Sequence, residues 1–413
     1  MKLPTLPSTA SSVATTNKVS HLFDLQKARA DTPACEKLIH FNNAGASLMP
    51  QPVYQAVLDH LQLEQTIGGY EAAAENADKL DSFYSAFANL LNASRDEIAF
   101  VENATRAWDM AVYAIPWRAG DRVLVHQSEY SSNYLALLQL AREKRIQIDQ
   151  VPSGSDGAID LEQLQEMIHP QTRAIFLTYV PSQSGLVNPA GEVGDIARDN
   201  NLLYVLDACQ AAGQMPIDVQ QIGCDILSGT GRKFLRGPRG TGFLYVRKER
   251  LDTLEPPFID LHSAAWTADH DYEFQANARR FENWECFAAG KIGLAAAANY
   301  AMEVGLSQIQ QRVFSLAQTL RTELSTIDCV KVHDPGSQRC GIVTFSCENK
   351  DAEKLVAELR AEGINTSVTA RRNARLDFQQ RKVPSAVRAS LHYFNNDDEI
   401  ANFCQVIESK LHQ

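Results

Sequence analysis

Between Glu97 and Val246 short apolar runs alternate with longer amphipathic stretches, and no other property of the chain restricts its fold as strongly. Ile98–Val101, Arg122–His126, Gln147–Val151, 173–179, 202–207, 224–227 and Gly242–Val246 read as strands. Leu135, Leu138 and Leu140 lie in one helical stretch, Leu161, Leu164 and Ile168 mark the next at spacings of three and four, and residues 193–200 form a third. Strands separated by helices pair in parallel through right-handed crossovers, with helices on both faces. The expected centre is therefore an α/β domain with a mostly parallel sheet. Residues 239–247 follow their predecessor by a loop instead of a helix, which predicts an antiparallel member.

Residues 254–278, with Pro256-Pro257, break the alternation and read as an irregular surface or active-site segment. After them, 290–304 and 306–327 are Ala- and Leu-rich helices, 342–346 a strand, 352–362 a helix ended by Gly363, and 387–393 a strand. These form a smaller C-terminal α+β domain. The expected divisions are a disordered tail over 1–20, an N-terminal segment over 21–50, a large α/β domain over 51–285 and the small domain over 286–413.

Composition excludes several functional classes. Lys and Arg number 39 against 50 Asp and Glu, a net charge of −11, so no positive field exists to collect a nucleic acid. No run approaches the roughly 18–20 apolar residues of a membrane span. The eight cysteines contain no C-x-x-C pair and no His partner at zinc spacing, which predicts free thiols, no metal site and a cytoplasmic protein.

The chemistry concentrates in Leu203-Tyr204-Val205-Leu206-Asp207-Ala208-Cys209-Gln210 and, 26 residues after Asp207, in Lys233 of Ser228-Gly229-Thr230-Gly231-Arg232-Lys233. In an open α/β sheet ligands sit beyond the carboxyl ends of the strands, where Asp207 falls. A carboxylate there can hold a positively charged ring nitrogen. Arg232, a like charge beside Lys233, would lower the amine pKa and favour attack on an aldehyde. Together they suggest a Schiff-base lysine with an acidic pyridinium partner. Glu102-Asn103-Ala104-Thr105-Arg106 closes one strand and opens a helix whose unpaired amides, with Thr105 and Arg106, form a phosphate site, to which Thr230 and Arg232 add donors.

On these residues, with Arg236-Gly237-Pro238-Arg239-Gly240-Thr241-Gly242 and Val387-Arg388-Ala389-Ser390, the chain resembles the class V aminotransferase-like pyridoxal-phosphate enzymes of fold type I from about Phe41 onward. That group includes cysteine desulfurases, isopenicillin epimerase-like proteins and the carbon–sulfur lyases of ergothioneine synthesis. The resemblance implies pyridoxal 5′-phosphate as cofactor, Lys233 as the Schiff-base lysine, Asp207 at the pyridine nitrogen and Gln210 near the ring hydroxyl. It also implies phosphate contacts from Thr105, Thr230 and Arg232, a polar contact from Ser182, and Tyr130 stacked where many relatives place a histidine. Arg388 would clamp the carboxylate of an amino-acid substrate, with Asn43 nearby.

Two departures qualify the resemblance. No cysteine lies in the segment from Thr366 to Arg375, where desulfurases carry a persulfide-forming thiol, and 280–285 lacks the Gly-Thr that many relatives present to a neighbouring subunit's phosphate. The expected activity is therefore a carbon–sulfur lyase on a cysteine-type or sulfoxide conjugate. Aminotransferase or epimerase activity, or a catalytically silent binding module, are the alternatives. The family and Trp284 point to a homodimer. Arg371, Arg372, Arg375, Arg381 and Lys382 read either as an exposed loop or as a lure for an anionic substrate, Arg236 and Arg239 either as part of the family motif or as solubilising charges, and His126 and His392 as core histidines.

Overall fold

The computed structural model describes residues 23–348 and 350–411; the tail expected over 1–20 lies outside the described residues. Seven strands form the central sheet, in the spatial order Ile98–Val101, Gly242–Val246, Ile226–Thr230, Leu203–Asp207, Thr172–Thr178, Arg122–His126, Gln147–Val151. Only Gly242–Val246 runs against its neighbours, as its helix-free connection predicts. The other strands all run one way. Val101, His126, Thr178, Asp207 and Thr230 therefore end on one edge, and any site there draws on several strands at once.

Both faces of the sheet are covered, so its inner strands are buried from Ala174, Tyr204 and Ile226 onward instead of alternating with exposed residues. The pleat sends Tyr204, Leu206, Leu227 and Phe243 to one core with Phe83 and Phe87, and Val205, Ile226 and Leu244 to the other with Trp108 and Phe176. Gly229 is where the Phe243 ring crosses its neighbour: a Cβ there would stand 2.1 Å from the ring. Helix Ala288–Val304 packs against Gln51–Ile67 and Ala77–Leu91 on the first of these faces.

The smaller lobe is a four-stranded antiparallel sheet in the order Val330–Val332, Ile342–Cys347, Ser385–Ser390, Ser367–Ala370, backed by helices Leu306–Thr326, Ala352–Ala361 and Asp397–Leu411. An N-terminal strap crosses between the lobes. Its Ile39–His40 pairs in parallel with Ile364–Asn365, and its Phe41 carbonyl accepts from Ser390 N at 2.7 Å.

Several expectations need correction. Residues 254–278 contain a hairpin of Ala264–Ala268 with Asp271–Phe274. It escapes pattern reading because it stands off the core: Trp266 is 76% and Tyr272 41% exposed. The strand expected over 224–227 lies at Ile226–Thr230, since Gly223 caps a helical turn and Asp225 turns its carboxylate back to Arg250 and to Tyr204 N. The basic segment is no plain loop. Arg371 and Arg372 lie in the exposed turn after Ser367–Ala370, while Arg375 and Arg381 bound helix Arg375–Arg381, with Arg381 paired to Asp377. Arg236 is no solubilising charge; it is buried, as the candidate site's surroundings require.

Candidate active site at the carboxyl edge of the sheet

Asp207 ends its strand and is held at both oxygens: Cys209 N donates to Oδ1 at 2.8 Å and Asn133 Nδ2 to Oδ2 at 2.7 Å. Lys233 comes from the tight turn after Ile226–Thr230, closed by Gly231 N to Thr241 O (3.0 Å), Gly237 N to Gly231 O (2.7 Å) and Arg236 N to Lys233 O (2.9 Å). Its side chain is buried at 9% exposure, with Nζ 6.0 Å from the Tyr130 ring centroid. Burial pushes the amine pKa down; Arg232 and Arg388 push the same way, against Cys209 and Asp207. The sequence reading assigned this effect to Arg232, yet desolvation is the larger cause. Either way the neutral amine, the nucleophilic form, is favoured.

Lys233, Asp207, Gln210, Thr105, Tyr130 and Ser182 line one cavity. Helix Ala104–Val112 points its N-terminus there: Asn103 caps it by accepting from Arg106 N at 2.9 Å, and the amides of Ala104 and Thr105 remain for an anion. Arg106 itself turns away, to Asn283 Oδ1 (3.2 Å), Glu102 (4.0 Å) and the face of Phe258 (4.9 Å). Thr230 is buried and donates to Thr241 O at 3.2 Å. The Arg232 guanidinium donates to the Gly45 carbonyl of the strap.

Arg388, half-buried in the small-lobe sheet, donates to Ser182 O at 2.8 Å and Ser367 Oγ at 3.1 Å. Burial first, and Arg232 second, press its pKa down to about 10. An incoming carboxylate would relieve both penalties. Asn43 is fully buried; its Nδ2 donates to His40 O (3.2 Å) and Ser390 O (2.7 Å) and its Oδ1 accepts from Ser47 Oγ (2.6 Å), which makes it a fastener of the strap.

The residues present fit a pyridoxal phosphate. Gln210 Oε1, on the cavity wall, is buried without a hydrogen-bond partner, and among the described residues no hydrogen bond or ion pair holds the Lys233 amine. A buried amine, an acid at the strand end and an open helix N-terminus are the donor set that aldehyde, ring nitrogen and phosphate require. Sequence reasoning missed Asn133, Thr178 and Glu129. Asn133 and Thr178 line the same cavity, and Glu129 stands behind them, accepting from both. A signal existed, since Glu129 follows the end of Arg122–His126 on the edge that carries Asp207.

No cysteine in the cavity can serve as a thiolate. Cys209 is buried beneath Asp207, and burial drives its pKa far above the ordinary thiol value. All eight cysteines are unpaired. His126 and His392 are core residues: both are buried with pKa values pushed down by desolvation. Among the described residues no helix is long and apolar enough to cross a membrane, and no cluster of His, Cys, Asp or Glu could hold a metal.

Residues 39–403 match the family model of class V aminotransferases. A probable cysteine desulfurase of Xylella fastidiosa is 30% identical over 92% of this chain and 94% of its own length. Its counterpart in Methanothermobacter thermautotrophicus is 28% identical over 93% and 97%. Among solved structures, the apo cysteine desulfurase of Thermococcus onnurineus superposes with a TM-score of 0.88 at 25% identity, covering 94% of this chain and 98% of that one. The cystine C–S lyase C-DES, in complex with its reaction product cysteine persulfide, shares the fold with a TM-score of 0.82 at 20% identity over 91% and 99%. The matched span takes in Asp207, Lys233 and Arg388, and the chain belongs to the class V aminotransferase family of fold type I pyridoxal 5′-phosphate enzymes.

Proposed function

We propose that this chain cleaves a carbon–sulfur bond of a cysteine-type amino acid, with Lys233 as the catalytic residue. One observation carries the choice of reaction. The Lys233, Asp207 and Arg388 set is intact, while the segment between Thr366 and Arg375 holds no thiol and the cavity's own Cys209 is buried with a raised pKa. A protein so equipped can break the bond but has no group on which to keep the sulfur.

When bound, the cofactor supplies the electron sink that makes the substrate's Cα proton labile. The chain's residues do the rest. Arg388 binds the α-carboxylate and orients Cα toward Lys233. Lys233 Nζ, whose pKa burial pushes down, then takes the Cα proton, and its buried position keeps water from competing. Asp207 would hold the proton on the ring nitrogen of the bound cofactor, Tyr130 would lie against its ring face, and Gln210 would meet the ring hydroxyl. Thr105, Thr230, Arg232 and the Ala104–Val112 helix terminus take the phosphate, and Ser182 supports Arg388 through its carbonyl. Asn43 aligns the strap beside the substrate carboxylate.

The active form in this reading is a cytoplasmic homodimer. Exposed Tyr70 and Trp284, which line one groove, are apolar surface that a second copy would cover, and the free thiols suit a reducing compartment. Light scattering of the holoenzyme tests the stoichiometry. For the reaction, S-substituted cysteines should yield pyruvate and ammonia with no amino acceptor present. Keto-acid formation that depends on an acceptor would overturn the lyase assignment.

A further inference from the structure

Glu129 is buried, yet the mechanism above gives it no part. Its Oε1 accepts three hydrogen bonds: Tyr130 N at 2.9 Å, Asn133 Nδ2 at 2.9 Å and Thr178 Oγ1 at 2.5 Å. Its Oε2 is buried with no partner. Three donors converging on one oxygen make a fixed anchor, and each leads to a different wall of the cavity. The Asn133 nitrogen bridges two carboxylates, with one hydrogen toward Glu129 and the other toward Asp207 Oδ2 at 2.7 Å. Tyr130, whose ring faces Lys233 Nζ, is held by its backbone to the same oxygen. Thr178 ends the strand adjacent to that of Asp207.

We infer that Glu129 and Asn133 are positioning residues for the cofactor: Glu129 anchors the Asn133 amide, the amide sets the Asp207 carboxylate against the ring nitrogen, and the same Glu129 oxygen fixes the Tyr130 wall. One buried side chain thus aligns the acid at the ring edge and the aromatic on the ring face. The inference rests on the pyridoxal-phosphate reading of the site. Without Asn133, Asp207 Oδ2 has no donor and can rotate about χ2. Without Glu129, Asn133 loses the partner that orients its amide. The cost of the arrangement supports a role: burial, with Asp207 close by, pushes the Glu129 carboxyl up to about 7, a penalty that packing alone would not retain.

The test uses the full-length holoenzyme and its Asn133→Ala, Glu129→Ala and Glu129→Gln variants. Three quantities are read: pyridoxal-phosphate affinity of the resolved protein, the visible circular dichroism per bound cofactor, and the melting temperature. Losing one charge-assisted hydrogen bond should weaken cofactor binding about tenfold in Asn133→Ala and lower the visible dichroism by about half, because the ring is no longer held in one pose. Glu129→Ala should show both changes without touching the cofactor. Glu129→Gln keeps an oxygen acceptor for the three donors and should restore both to within about threefold of the parent protein. Wild-type affinity and dichroism in Asn133→Ala, or a Glu129→Ala protein that only melts earlier, would overturn the inference. If the parent protein retains no cofactor after borohydride reduction, the underlying reading fails instead.

Discussion

Arg236 offers the sharpest measurement of how the lysine turn is held. Its guanidinium is buried and donates to Leu48 O at 2.8 Å, Tyr393 Oη at 2.7 Å and Thr32 Oγ1 at 2.5 Å, while the faces of Tyr393 and Phe394 lie 5.1 and 4.5 Å away. Replacing it with methionine fills most of the space but strands two buried acceptors and a half-buried one. Each costs about 1–3 kcal/mol, offset in part by the desolvation no longer spent on the cation, so the net loss is about 3–5 kcal/mol. The backbone supplies an internal control. Arg236 has φ of 61°, a left-handed conformation, so Arg236→Gly should be about 1 kcal/mol more stable than Arg236→Ala although both delete the same contacts. Urea midpoints of the cofactor-free protein read both differences, and cofactor affinity should fall with them because Arg236 N closes the turn on Lys233 O. A methionine variant within about 1 kcal/mol of the parent would refute the reasoning.

Four further outcomes follow from the site and the core. Lys233→Ala should abolish turnover and the borohydride-stable adduct while leaving the protein folded, as judged by far-ultraviolet dichroism. Arg388→Lys keeps the charge but loses the planar fork, so steady-state kinetics should show KM for the amino acid rising roughly 10–100-fold with a smaller change in kcat. Alkylation of accessible thiols with iodoacetamide should leave the rate of carbon–sulfur cleavage unchanged; inactivation that follows a single modified cysteine would contradict the lyase reading. His126 is buried with its pKa pushed down from 6.5 to about 3, so the folded protein stays neutral there while the unfolded chain takes up a proton. Stability is then lost as pH falls from 6.5 toward 3, by roughly 5 kcal/mol at most, and His126→Gln should flatten that part of the urea-midpoint profile against pH.

What was legible in the sequence was whatever repeats or stands at a strand end. The alternation from Ile98 to Val246 led to the sheet, and Gly242–Val246 ran antiparallel because its connection was too short for a crossover helix. Asp207 and Lys233 were visible as a charged pair beyond two adjacent strands. The 264–274 hairpin was not legible, since a ribbon standing off the core buries no regular face. For Arg236 the sequence left a solubilising charge open beside its place in the motif, because the acceptors that bury it, Thr32, Leu48 and Tyr393, are distant in sequence. Arg106 sits at the right helix end, but its side chain was claimed by Asn283 and Phe258 far along the chain. The Glu129–Asn133–Asp207 bridge has the same origin: its amide reaches from Asn133 to Asp207, 74 residues on, and only the folded sheet brings them together.

The strap from Ile39 to Ser47 is a mechanical linkage between the two lobes. At one end it is laced to the small lobe through Gly363, Asn365 and Ser390. At the other, its Ala44 and Gly45 carbonyls grip Gln210 and Arg232, and Ser47 N returns to Arg232 O at 2.8 Å. A shift of the small lobe would therefore pull on Gln210 and Arg232 together. In the proposed lyase the size of the sulfur substituent would then be felt in the rate of the chemical step as well as in binding.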